Sequence, residues 1–140
     1  MISDLEKAVK LLKENQLTFA AVKENKNITS KQRGVKPLLE LLEGNTSLCG
    51  FSVADKVIGK AAAFLYVLLS PDKISTGVVS KSALDVLKRN NINVHYDILT
   101  DSIRNRDNTG SCPMEATVMD TDDAYKALEL IKNKLIELSK

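Results

Sequence analysis

Residues 48–98 read LCGFSVADKVIGKAAAFLYVLLSPDKISTGVVSKSALDVLKRNNINVHYDI, and this run decides the fold. Residues 48–54 form a short apolar run of strand length, the pattern of a strand buried on both faces. Asp55 follows as a good N-cap, and a helix from there to about Leu69 is apolar nearly all round after Lys60. A helix with no polar face belongs at the centre of the packing. Ser70-Pro71 ends it, residues 74–79 read as a strand, Ser80 caps a helix over 81–90, and residues 92–98 read as a further strand. Strands separated by helices predict parallel pairing through crossovers.

Working outward, residues 2–15 carry Ile2, Leu5, Val9 and Leu12 at helical spacing, with Ser3 and Glu6 placed for a capping box. Residues 17–23 read as a strand, 24–27 as a polar turn and 28–32 as the returning strand of a hairpin. Arg33-Gly34 breaks that strand, Lys36-Pro37 opens a short helix, and Gly44 follows it as a C-terminal cap. Residues 101–111 read as a polar loop, Pro113 begins a helical turn, and 122–138 form an amphipathic terminal helix through Ala127, Leu130, Ile131, Leu135 and Leu138. The order α-β-β-α-β-α-β-α-β-α predicts one α/β domain over residues 1–140, three layers deep, with a mixed sheet between helices.

The 140 residues suffice for a hydrophobic core, and a 44% hydrophobic, 27% charged composition is that of a globular chain. With 4% aromatic residues and no Trp, the core is aliphatic. A net charge of +2 gives no footprint for nucleic acid, and stacking platforms are scarce. Residues 61–69, the most apolar stretch, are about half the length of a membrane span. The N-terminus lacks the apolar core of a signal peptide, and Cys49 and Cys112 share no metal spacing with His95; a cytoplasmic location with reduced thiols is expected.

Three segments carry a family resemblance: RGVKPLLELLE at 33–43, VADKVIGKAAA at 53–63 and IRNRDNTGSCPME at 103–115. Together they resemble family 1893 of the domains of unknown function, small prokaryotic proteins. The resemblance implies a cytidine-deaminase-like fold and no established activity. Zinc deaminases begin one helix with H-x-E or C-x-E and the next with P-C-x-x-C. The corresponding positions here, 34–37 and 54–58, hold neither His nor Cys and no Glu. Tetrahedral zinc needs three protein ligands beside its water, and Asp55 alone does not supply them. The expectation is a protein without zinc or another cofactor.

Other chemistry suits those positions. Arg33, Gly34, Lys36, Asp55, Lys56 and Lys60 fall at or near two expected helix N-termini, which attract anions. On this reading Lys56 and Lys60, four apart, share a helix face. The bland alternative is a set of solvated lysines with Asp55 as a cap. In the loop, Arg104 and Arg106 suit a phosphate or carboxylate, with Asn105, Asp107 and Thr109 beside them. Cys112 precedes Pro113 at a helix start, where the dipole favours thiolate, and Glu115 either closes a capping box or acts as a base. The bland alternative is an ordered loop with an inert thiol. His95 alternates within a strand and faces the helix layer or solvent, while Cys49, beside Gly50, reads as a small core residue.

Three functions compete. The favoured one is binding of a small anionic or phosphorylated, nucleotide-like metabolite in a cleft at two helix N-termini. The second is a zinc-independent enzyme using Cys112 or Asp55 in group transfer or hydrolysis, and the third a non-catalytic interaction domain. No nucleic acid or membrane partner is expected, and nothing in the sequence opposes a homo-oligomer.

Overall fold

The computed structural model describes residues 3–32, 34–101 and 116–138. Helix α1 (Asp4–Glu14) starts as its capping box requires: the Ser3 hydroxyl accepts the Glu6 backbone N–H at 3.1 Å. Strands β1 (Phe19–Lys23) and β2 (Lys26–Ser30) form the antiparallel hairpin. The turn is shorter than the polar run suggested. Glu24 takes a left-handed φ of 54°, so Glu24-Asn25 alone reverses the chain and Lys26 already pairs with Lys23. Helix α2 (Lys36–Glu43) has Pro37 in its first turn.

Strand β3 (Ser52–Ile58) departs most from the sequence reading. Cys49-Gly50 is a turn, closed by the Phe51 N–H on the Leu48 carbonyl at 2.8 Å, so the strand begins only at Ser52. Cys49 is accordingly exposed rather than a core residue. The strand continues through Asp55 and Lys56 because both neighbours engage it. Phe19 of β1 pairs with Asp55 on one side and Thr76 on the other, and β-branched Val57 and Ile58 favour the extended chain. Asp55 is therefore not a helix cap, and Lys56 and Lys60 do not share a helix face. Gly59 is the N-cap of helix α3 (Lys60–Leu69), with no side-chain cap bond.

Strand β4 (Lys73–Ser80), helix α4 (Lys81–Arg89) and strand β5 (Asn93–Thr100) follow, and helix α5 (Ala124–Leu138) closes the fold. Ser80 caps α4, its hydroxyl accepting the Ala83 N–H at 3.1 Å. The sheet order is β2-β1-β3-β4-β5, parallel across β3-β4-β5 and antiparallel at β1. The strand order advances in one direction, so right-handed crossovers place α2, α3 and α4 on one face, where α5 joins them. Among the described elements, helix α1 alone packs on the other, against β1, β3 and β4.

Two cores follow from this. The larger holds Phe19, Val53, Phe64, Leu65, Leu87 and Ile131, and the smaller packs Ala8 and Leu12 on Ala20, Val22 and Ala54. Helix α3 is enclosed by α2, α4 and α5 as well as the sheet, which is why it is apolar all round. Ala61, Ala62, Phe64 and Leu65 are buried as expected, and Leu68 is half-buried.

The pleat is interrupted near the C-terminal ends of the parallel strands. Val53 and Ile74 belong to the larger core, and so do Ile58 and Val79, five residues further on. An unbroken pleat would put residues an odd number apart on opposite faces. Pairing is skipped in the same place on all three strands, at Lys56, Gly77 and Asp97.

Candidate functional site

One row of paired residues crosses the whole sheet: Ser30, Phe19, Asp55, Thr76 and Tyr96. Asp55 is its polar centre. Its carboxyl lies on the side of α3, where the fully buried Tyr66 hydroxyl donates to Oδ2 at 2.5 Å. A phenol this deep needs an acceptor, and the strand supplies one. The Val57 N–H reaches Oδ1 at 3.4 Å. Burial is the largest influence on this carboxyl and pushes it up to about 7; the bonds from Tyr66, Val57 and Lys56 oppose that rise. The Tyr66 phenol is raised well above its ordinary value, first by burial and then by the Asp55 charge.

On the opposite face, α1 covers only part of the sheet, and a cleft of about 390 Å³ opens where its cover stops. One wall is the helical stripe Val9, Leu12, Lys13 and Gln16. The floor and far wall come from Ala54, Asp55 and Lys56 of β3, Ser75, Thr76 and Gly77 of β4, and Asp97 of β5. The cleft thus runs along the interrupted pleat. Gly77 sits at its middle, and a Cβ there would lie 3.2 Å from the Lys56 carbonyl oxygen. Two ammonium groups, the Asp97 carboxyl and the Ser75 hydroxyl on an apolar base make it a site of mixed polarity, at the small end of ligand pockets.

Of the residues singled out by sequence, Asp55 and Lys56 line this cleft. Gly34 and Lys36 are exposed at the start of α2, on the α3 side of the sheet. Lys60 opens α3, where its ammonium donates to the Met119 carbonyl at 2.9 Å and stands 5.7 Å from the Phe64 ring centre. Arg33, Arg104, Asn105, Arg106, Asp107, Thr109, Cys112 and Glu115 lie outside the described residues. His95 is exposed on β5.

Lys13, Tyr66, Thr76, Gly77 and Asp97 escaped the sequence reading. Gly77 carried a usable signal, since an isolated Gly inside a strand marks an irregularity or a close approach. Among the described residues, no group of three or more His, Cys, Asp or Glu stands close enough to hold a metal ion. No described helix is long and apolar enough to cross a membrane.

No curated protein matches the chain. Among solved structures, the crystal structure of a DUF1893 family protein from Thermotoga maritima is similar, with a TM-score of 0.87 and 30% identity over 96% of this chain and 92% of that one. A family model described as a domain of unknown function, DUF1893, matches residues 7–135. The chain therefore belongs to the DUF1893 family, as its three signature segments implied.

Proposed function

We propose that this chain binds a small anionic, phosphorylated metabolite of nucleotide-like character in the cleft beside α1, without zinc. The observation that carries the reading is a cleft of about 390 Å³ with Lys13 on one wall and Lys56 on the other. Two ammonium groups across a small opening suit one phosphate. Asp97 and Ser75 offer hydrogen-bond partners to the rest of the molecule, and Val9 and Leu12 an apolar seat. This moves the proposed site from two helix N-termini to the irregular middle of the sheet, while keeping Asp55 and Lys56 in it. A cytidine-deaminase-like ancestry and a cytoplasmic location accord with this reading. The test is a thermal-shift screen with nucleoside monophosphates, sugar phosphates and inorganic phosphate. A ligand at 100 times its dissociation constant adds about 2.7 kcal/mol of stability.

One observation favours a second reading, zinc-independent proton transfer. A carboxyl near pKa 7 suits a general acid or base at neutral pH, and the Asp55 carboxyl is such a group. It lies on the α3 side of the sheet, so this reading requires the reacting group to reach it there. Turnover that accompanies binding and disappears in Asp55→Asn, with binding retained, would select it.

A further inference from the structure

Among the described residues the sheet ends at β2 on one side and β5 on the other, and these two strands differ in kind. Strand β2 has five residues, KNITS, all polar except Ile28 and including Lys26. Strand β5 has eight, NVHYDILT, with no Lys, Arg or Pro. Edge strands that stay unpaired in solution are usually short or carry lysine or proline. Strand β5 instead exposes Tyr96 (41%), Ile98 (57%) and Leu99 (41%). The side chains of His95, Tyr96 and Asp97 have no hydrogen-bond or ion-pair partner among the described residues.

We propose that β5 pairs antiparallel with β5 of a second copy, about a twofold axis at Tyr96, joining two sheets into one. The sequence of the strand selects both occupant and register. With the axis at Tyr96, His95 stands opposite the partner's Asp97, and Asp97 opposite the partner's His95. The imidazole N–H donates to the carboxylate twice, once on each side of the axis, and the two tyrosine rings meet across it. An axis at Asp97 would set carboxylate against carboxylate, and one at His95 would leave Asp97 facing an asparagine. Only the Tyr96 axis sets imidazole and carboxylate opposite each other, on both sides of the axis. Asp97 also lines the cleft, so this pairing brings the partner's His95 to the cleft wall. The interface does not depend on the ligand reading, and its test reads assembly alone.

Sedimentation equilibrium of the whole chain, without ligand, should give a dimer. His95→Asp sets like charges opposite each other twice and should raise the dimer dissociation constant about tenfold or more. Adding Asp97→His to that variant exchanges the partners and should restore the affinity. Both side chains are exposed, and far-UV circular dichroism should show the same fold in each. A monomer at every concentration overturns the proposal. So does a dimer whose affinity ignores His95→Asp and Ile98→Lys, because the interface would then lie elsewhere.

Discussion

The Tyr66 hydroxyl donates to Asp55 Oδ2 at 2.5 Å, tying the middle of the central helix to the strand that precedes it. Tyr66 is fully buried, and no buried side-chain polar atom among the described residues lacks a partner. Tyr66→Phe leaves the Asp55 carboxyl without this bond and should cost about 1–3 kcal/mol in urea denaturation. It should also raise the Asp55 pKa further, because the lost bond lowers it. An unchanged midpoint would contradict the bond.

Asp55 also sets a pH dependence. Its carboxyl sits at about 7 in the folded chain against an ordinary 3.8. Between those values the unfolded chain has released the proton and the folded chain still holds it. Stability from this group is therefore fully present below its ordinary value, falls as pH rises, and levels off above about 7. The fall should be about 2–4 kcal/mol. Asp55→Asn, which still accepts from Tyr66, should lack it, so the difference between the two proteins isolates the group. Parallel stability curves from pH 4.5 to 7.5 would contradict the assignment.

Leu65 has no exposed surface in the middle of α3. Leu65→Ala should cost about 2–5 kcal/mol, because α2, α4 and α5 hem the site and limit its collapse. A loss under about 0.5 kcal/mol, the scale of a surface substitution, would contradict that enclosure.

Gly77 is crowded on one side, by the Lys56 carbonyl oxygen at 3.2 Å from where a Cβ would stand. A methyl group would press on the Lys56 carbonyl, which belongs to a strand paired on both sides. Gly77→Ala should destabilise the fold by about 1–2 kcal/mol and weaken ligand binding, since the same residue lines the cleft. A stabilised variant would show that the strands yield.

These residues show what the sequence exposed and what it hid. The hairpin, the alternation after residue 48, the Ser3 and Ser80 caps and the burial of α3 are local patterns, legible because neighbouring residues create them. The end of β3 was misread because Asp suits an N-cap and an apolar helix follows. Sheet pairing to β1 and β4, a long-range contact, carries the strand three residues past Asp55 to Ile58. Cys49 differs for a local reason: its apolar run has strand length, but a turn closed by the Phe51 N–H on the Leu48 carbonyl interrupts it. The cleft was illegible because it exists only where α1 stops covering the sheet. Lys13 and Lys56 are 43 positions apart, and no spacing rule joins them.

The central claim is that the cleft between Lys13 and Lys56 holds a phosphorylated metabolite. Isothermal titration of nucleoside monophosphates and sugar phosphates into the wild-type chain, Lys13→Ala and Lys56→Ala tests it most directly. Both lysines are exposed, so the free variants should melt within a degree or two of wild type. Each should lose tenfold or more in affinity for the ligand that wild type binds, as expected for one charge-assisted phosphate bond. No saturable binding by the wild type, or equal affinity in all three proteins, would contradict the account.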